Sequence, residues 1–225
     1  MEEPATPPAT PPGTLEALRL QLGPVIADAA VFDGWNTKAV AQAAAATGVN
    51  RDLAALAFRD GPMAMIAAWI GHVDARMAET APAAALSGLP IRERIRRLVM
   101  ARLDAVAGRE EALTRALSIM AMPHNLAASA RLGWRSADAM WRLAGDTATD
   151  YNHYTKRAIL AGIYAATLHV FARDTSDGKA ETRAFLDRRI EGVMRFEKAK
   201  AQLLRTPDER FSMTRLLGRL RYPAR

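Results

Sequence analysis

The stretch DAMWRLAGDTATDYNHYTKRAILAGIYAATLHVFAR, residues 138–173, does most to decide the fold of this chain. Its second half, residues 151–173, carries apolar side chains at helical spacing and predicts one long helix. A polar turn at residues 145–150 precedes that helix, and aromatic and basic residues open its first turns. A helix that served only as core would not need this polar head. We therefore expect a recognition surface beside a pocket here.

The sequence on both sides of this stretch also favours helix. From residue 15 onward alanine, leucine, arginine and methionine dominate, and each is a good helix former. There is no alternation of polar and apolar residues of the kind that indicates strands. Glycine, proline and short polar clusters break the pattern at 33–34, 47–48, 60–62, 87–90, 108, 123, 133, 145–150, 174–178 and 206–207. These breaks predict an all-α fold of about ten helices.

Four segments follow from the same reading. Residues 1–14 are proline-rich and are expected to be a disordered leader. Residues 15–60 form a helix-turn-helix-like unit, residues 61–205 the main helical domain, and residues 206–225 a basic amphipathic tail. The tail places Met213, Leu216, Leu217 and Leu220 on one helical face, with Arg215 and Arg219 among them. It is predicted to bind an anionic membrane; the alternative is an ordinary last helix packed on the domain.

Composition limits the classes of protein that remain possible. The chain has 225 residues, a net charge of +7 and no cysteine, so disulfides, zinc–thiolate sites and catalytic thiols are excluded. No run approaches the roughly 18 consecutive apolar residues of a spanning helix. We expect a cytoplasmic protein, peripheral to the inner (cytoplasmic) membrane.

Nothing in the sequence favours an enzyme. The four histidines are scattered, no Glu-x-x-His pair exists, and the common hydrolase, metalloprotease and nucleotide-binding motifs are absent. We predict no catalytic residue, no metal and no cofactor. Asp146 and Asp150 are four residues apart around the polar turn and could form a carboxylate pair. Capping of the helix that follows is the favoured interpretation, because free N–H groups there attract acidic side chains.

The segment WNTKAVAQAAAATGVNRDLAALAF, residues 35–58, has the rhythm of a helix-turn-helix, with Thr37 as a plausible N-cap and Gly48 in the turn. Its second helix offers only Arg51 as a long hydrogen-bond donor. A reader of the major groove needs several such side chains. A packing unit that does not bind nucleic acid is therefore favoured, and a ligand-sensing transcription regulator stays open as the alternative.

Residues 144–194 closely resemble the C-terminal domain of the coenzyme Q nine family, the lipid-binding accessory proteins of ubiquinone biosynthesis. The resemblance rests on Trp141, the Ala144-Gly145-Asp146 turn, residues 149–152 and 154–157, Tyr164, the turn with Asp174 and Ser176, and residues 185–186 and 189–190. Upstream, MAMPHN at 120–125, Ala137-Asp138 and Asp33-Gly34-Trp35 also match. It covers about residues 15–200. It implies a tetracycline-repressor-like helical bundle, usually a homodimer. It also implies a non-enzymatic role: binding an isoprenoid quinone precursor and presenting it to a membrane-associated hydroxylase.

The resemblance also implies the residues of each site. The family's partner motif reads Asp150-Tyr151-Asn152-His153-Tyr154 here, with His153 at the position of a tryptophan. The expected partner-binding residues are Asp138, Asp150, Tyr151, His153, Tyr154 and Arg157. The expected wall of the lipid pocket is Met100, Leu103, Leu117, Met120, Trp141, Leu160, Ile163 and Tyr164, although composition alone favours core for such methionines and aromatics. The expected membrane-binding residues are Met213, Arg215, Leu216, Leu217, Arg219 and Leu220.

Overall fold

The computed structural model of the protein describes residues 14–147 and 151–204, without the side chains of residues 151–152 and 196–204. Within these residues it contains ten α-helices, two short 3-10 helices and no strand. The predicted all-α class and the predicted number of helices are thus confirmed. The leader and the basic tail lie outside the described residues.

The helices follow one another along the chain with short connections. They are α1 Leu15–Asp33, α2 Thr37–Thr47, α3 Arg51–Ala57, α4 Pro62–Thr80, α5 Ala83–Leu86, α6 Ile91–Val106, α7 Glu110–Met120, α8 Leu126–Leu143, α9 Tyr151–Phe171 and α10 Ala180–Leu204. The 3-10 helices are Pro123–Asn125, before α8, and Asp177–Lys179, before α10.

Local side-chain and backbone chemistry explains the first boundaries. The Asn36 side-chain oxygen accepts hydrogen bonds from the backbone N–H groups of Lys38 and Ala39, so Asn36 is the N-cap of α2. The prediction that Thr37 caps this helix is wrong by one residue, because Thr37 is already helical. Gly48 ends α2 with a φ of 68°, a left-handed conformation that glycine adopts without steric cost.

Gly133 corrects one predicted helix break. It lies in the interior of α8, and a Cβ atom added to it would meet nothing within 4 Å. Glycine costs a helix only about 1 kcal/mol relative to alanine, so the packing of α8 overrides the local preference. The consequence is an open space beside the backbone of α8, and this space belongs to the cavity described below.

The core forms where α1 packs against α2 and α4, α4 against α6, and α8 against α9. At Gly23 the backbones of α1 and α4 come so close that an added Cβ would lie 2.8 Å from the carbonyl carbon of Ala68. The Trp35 indole N–H donates to the Ala112 carbonyl at 3.0 Å and thereby ties the α1–α2 connection to α7.

The described residues up to Asp187 form one compact unit, and a second unit begins at Arg188, inside α10. The helix-turn-helix-like residues 15–60 are therefore packed into the first unit and are not a compact unit of their own. No single described helix has both the length and the apolar character needed to cross a membrane; one sharply bent pair, α3 with α4, meets the criterion by length and composition.

Candidate functional site

An apolar cavity of about 270 Å³ lies between α4, α6, α7, α8 and α9. Engineered apolar cavities of about 150 Å³ accept a benzene molecule, so this one has room for a ring and several further carbons. Its apolar lining comprises Ile66, Trp69, Ile70, Val73, Val106, Leu113, Ala116, Leu117, Met120, Ala121, Leu132, Gly133, Ala161, Tyr164, Ala165 and Leu168. Such a cavity favours an apolar ligand.

One wall of the cavity carries a polar group, the Arg102 cluster, which we define as Asp74, Arg102, Ser136 and Tyr164. Arg102 is 1% exposed and forms an ion pair with Asp74 through Nη1. Its Nη2 donates to Ser136 Oγ at 3.0 Å, and its guanidinium carbon lies 4.7 Å from the centre of the Tyr164 ring. Arg102 Nε is buried and has no hydrogen-bond partner in the described part of the chain.

The sequence did not single out Arg102, although its position carried a signal. The buried residues of α6 are Ile95, Leu98, Val99, Arg102, Leu103 and Val106, which form a single helical stripe. An arginine inside an apolar stripe must either be paired in the core or contact a ligand, because an isolated buried charge is costly. Here it is paired with Asp74 and also lines the cavity.

Three of the eight residues predicted for the pocket wall line this cavity, namely Leu117, Met120 and Tyr164. The other five lie elsewhere. Leu103 and Leu160 are buried but do not line the cavity, and Ile163 is half-buried and does not line it either. Met100 lines a separate cleft of about 430 Å³ beside Arg97 and Asp104. Trp141 lies at the contact between α8 and α9.

A network of buried ion pairs, here called the α8–α9 clamp, consists of Asp138, Trp141, Asp146, Lys156 and Arg157. Arg157 is 2% exposed; its Nε donates to Asp138 at 2.7 Å and its Nη1 to Asp146 at 3.0 Å. Lys156 donates to the other Asp146 oxygen at 2.8 Å, while the Trp141 indole N–H donates to the Lys156 carbonyl at 3.0 Å. The clamp joins α8, the polar turn and α9.

The clamp changes how three of the predicted residues are understood. Asp146 acts as an ion-pair acceptor for α9. Burial raises its pKa, but the hydrogen bonds from Lys156 and Arg157 outweigh burial, so the pKa lies below its ordinary value. Arg157 is turned inward, where a partner would not reach it directly, and Asp138 is its ion-pair partner. Asp138 remains 19% exposed and also pairs with Arg142, at 2.8 Å.

Two of the predicted partner-binding residues meet at the surface with a third aromatic side chain that the sequence had not singled out. We call Trp134, His153 and Tyr154 the aromatic patch. The ring centres are 6.0 Å apart for Trp134 and Tyr154, 6.4 Å for Trp134 and His153, and 5.1 Å for His153 and Tyr154. Tyr154 is 61% exposed. Asp150 and the Tyr151 side chain lie outside the described residues.

The outer face of α3 shows what a helix-turn-helix of this chain could present to DNA. Arg51, Asp52 and Leu56 are exposed there, and Leu56 is 49% exposed. A reader of the major groove usually carries several Arg, Lys, Asn or Gln side chains, and Arg51 is the one residue of that kind in α3. The predicted membrane-binding residues, from Met213 to Leu220, lie outside the described residues. Among the residues that the structure describes, no group of three histidine or acidic side chains could hold a metal ion.

Comparisons with known proteins agree with the sequence resemblance. The COQ9 family model matches residues 126–197, which include the α8–α9 clamp and the aromatic patch. The rat protein "Ubiquinone biosynthesis protein COQ9, mitochondrial" is 33% identical over 182 residues, which are 78% of this chain and 58% of the rat protein. The human protein of the same name is 32% identical over 78% of this chain and 57% of its own length. The chain thus spans somewhat over half the length of these relatives.

A solved structure supports the fold independently. A TetR transcriptional regulator from Nitrosomonas europaea superposes with a TM-score of 0.61 and 25% sequence identity, covering 78% of this chain and 97% of its own. The helical bundle described above is therefore TetR-like. The family match over α8, α9 and the first part of α10, the identity to the rat and human COQ9 proteins and this TetR-like bundle together support assignment of the chain to the COQ9 family.

Proposed function

We propose that this protein is a non-enzymatic accessory protein of ubiquinone biosynthesis, the process after which its rat and human relatives are named. In this proposal it binds an isoprenoid quinone precursor and presents it to a membrane-associated hydroxylase. The observation that carries the proposal is the apolar cavity between α4 and α6–α9. A homodimer working at a membrane surface, which the family resemblance implies, is part of the same proposal.

The size and lining of the cavity support binding of part of such a lipid. About 270 Å³ is close to the lower end of the range of small-molecule pockets. It would hold a substituted ring and the start of an isoprenoid tail, while the remaining tail would extend beyond the cavity. Each buried CH₂ group contributes about 0.8 kcal/mol, so roughly ten buried carbons correspond to micromolar binding before the costs of association are subtracted.

Native mass spectrometry and lipid extraction of the gently purified full chain test this proposal. The sharpest pair of variants is Gly133→Leu and Gly162→Leu. Both glycines lie inside helices, and an added Cβ at either would meet nothing within 4 Å, but only Gly133 lines the cavity. We expect the wild-type chain and Gly162→Leu to carry an isoprenoid lipid and Gly133→Leu to lose it. An empty cavity in all three, or equal loading, contradicts the proposal.

Presentation to the hydroxylase is assigned to the aromatic patch, in which Tyr154 is the most exposed side chain. Exposed tyrosine and tryptophan are frequent at the centre of protein interfaces, because they bury much area with few rotatable bonds. The α8–α9 clamp lies directly behind this surface and fixes the start of α9, on which His153 and Tyr154 stand. In this proposal the clamp keeps the docking surface rigid.

Membrane binding is assigned to the tail, residues 206–225. Flotation with anionic vesicles compares the full chain with a chain that ends at Thr206. We expect only the full chain to float with the vesicles, and its binding should weaken at high salt because of the arginines. Equal flotation of the two chains would remove the tail from the proposal.

The likeness to a TetR regulator favours one competing function, a ligand-sensing transcription regulator. In the described part of the chain, the exposed long donors at or beside α3 are Arg51, Arg59 and Lys38, which line one cleft. A mobility-shift assay on the DNA upstream of the protein's own gene separates the two functions. We expect weak, salt-sensitive binding without sequence preference; tight binding that persists at 200 mM salt would favour the regulator.

A further inference from the structure

We propose that the Arg102 cluster recognises the polar head of the bound lipid and selects a neutral head with an oxygen acceptor over an anionic one. This inference rests on the proposed function, because it takes the apolar cavity to be the lipid site. The ligand class is thus a quinone, ketone or phenol on an apolar tail. A phosphate or carboxylate amphiphile would be disfavoured.

The first argument is position. Three members of the cluster line the cavity from different helices: Arg102 from α6, Ser136 from α8 and Tyr164 from α9. Ser129 also lines the cavity, but its hydroxyl donates to the Met120 carbonyl at 2.8 Å, and the rest of the wall is apolar. The Arg102 cluster is therefore the main source of directional contacts for a ligand. A small number of convergent polar groups in an apolar pocket fixes the orientation of the ligand.

The second argument is the unused donor. Arg102 Nη2 donates to Ser136, and Nη1 forms the ion pair with Asp74 Oδ1 but no hydrogen bond; Nε is buried with neither an ion pair nor a hydrogen bond in the described part of the chain. Buried N–H groups are nearly always paired in native proteins, and exceptions call for an explanation such as a missing ligand. A carbonyl or hydroxyl oxygen within the cavity would satisfy this donor.

The third argument is charge. The Asp74 carboxylate neutralises the positive charge of Arg102 and does not itself line the cavity. The pair is therefore close to neutral as seen by a ligand. An anionic head would have to compete with Asp74 for the same guanidinium and give up its hydration in an apolar cavity, which is costly. A neutral acceptor takes the Nε–H and leaves the ion pair intact.

Affinity measurements with three probes that share one geranyl tail test this inference on the unmodified full chain. The probes are geranyl benzoquinone, geranylbenzene, which is a hydrocarbon that keeps the ring but has no oxygen, and geranylbenzoate, which carries a carboxylate on the same ring. Trp69 lines the cavity, so quenching of tryptophan fluorescence reports binding of the quinone, and displacement of the quinone reports binding of the other two probes. A hydrogen bond to a charged donor predicts that the quinone binds roughly 10- to 100-fold more tightly than the hydrocarbon. The carboxylate should bind more weakly than the quinone.

Arg102→Lys is the variant that isolates the donor. Lysine keeps a positive charge for Asp74 but lacks the planar fork of arginine, and with it the separate Nε–H. We expect the preference for quinone over hydrocarbon to fall about tenfold while the hydrocarbon affinity stays the same. Arg97→Lys is the matched control, because Arg97 lies on the same helix, is exposed and pairs with Glu93 at 3.1 Å. It should bind all three probes as the wild-type chain does.

The outcomes separate this inference from the proposed function. Equal affinity of the wild-type chain for quinone and hydrocarbon, or tighter binding of the carboxylate, overturns the inference and leaves lipid binding standing. An unchanged quinone preference in a folded Arg102→Lys also overturns it. If that variant does not fold, the wild-type comparison of the three probes still decides. Failure of every probe to bind the wild-type chain overturns both proposals.

Discussion

Replacement of Arg157 by methionine should destabilise the fold far more than its position near a polar surface turn suggests. Methionine keeps most of the bulk of the arginine stem but removes the guanidinium from the α8–α9 clamp. The variant leaves Asp138 and Asp146, at 2.7 Å and 3.0 Å from the lost nitrogens, without their shared partner. Asp146 has a side chain only 6% exposed, so water replaces that partner poorly.

The magnitude follows from what remains of the network. Loss of one partner from a buried ion pair costs about 3–5 kcal/mol. Lys156 still contacts Asp146, and Arg142 still contacts Asp138, so we expect the lower end, about 3 kcal/mol. For a chain of this length 1 kcal/mol corresponds to roughly 2–4 °C in melting temperature, so the melting temperature should fall by about 6–12 °C.

Thermal and urea unfolding followed by circular dichroism measure this effect, and Arg142→Met is the control. Arg142 pairs with the same Asp138, but its side chain is 74% exposed, so its loss should cost less than about 1 kcal/mol. The pKa of Asp146 is lowered in the fold, so its ion pairs add stability above the ordinary carboxyl range and lose it as pH falls. The gap between wild type and Arg157→Met should therefore narrow from pH 7 towards pH 3. Equal losses for the two variants, or a gap independent of pH, would refute the reasoning.

Three other predictions concern single side chains. Gly23→Ala should destabilise the protein by about 1–3 kcal/mol in urea unfolding, because the added Cβ would lie 2.8 Å from the backbone of Ala68. Gly162→Ala is the control: the glycine has open space around it, so this variant should be neutral or stabilising by up to about 1 kcal/mol. Burial raises the pKa of Asp174, but hydrogen bonds from Ser176 and Thr182 more than offset burial and hold the pKa well below its ordinary value. Asp174→Ala should therefore lower the melting temperature at pH 7 and have less effect on it as pH falls through the acid range. Tyr154→Ala should weaken capture of the partner hydroxylase at least tenfold in a pull-down titration. The melting temperature should not change, since Tyr154 is 61% exposed. Unchanged capture would argue against the aromatic patch as the docking surface.

The sequence predicted most of the helix boundaries, and the reason is visible at particular residues. Gly34, Gly48 and Gly145 have φ values of 78°, 68° and 86°, which other residues rarely adopt, so glycine there marks a chain reversal that local sequence reveals. Gly133 looks the same in the sequence but is helical. Gly133 leaves space for a cavity. Whether a cavity forms depends on which helices pack together, and local sequence patterns do not contain that information. The sequence left open whether Lys156 and Arg157 pair with the acidic residues of the turn or face a partner, because that choice depends on how α8 and α9 cross.

The cavity shows why helical periodicity finds an apolar face but not a pocket. Leu103 and Leu160 satisfy the periodicity as well as Leu117 does, yet the first two are packed core and the third faces a void. A void forms where facing helices both carry small side chains, and here Gly133 on α8 faces the cavity together with Ala161 and Ala165 on α9. Large residues at matching positions would have closed the space at native packing density. Small residues opposite one another, combined with one arginine on an otherwise apolar stripe, are therefore the better sequence signal for an apolar cavity with a polar end in this helical bundle. The Gly133→Leu and Arg102→Lys variants examine these two halves of the signal separately, since the first should abolish binding of every lipid and the second only the preference for a head group.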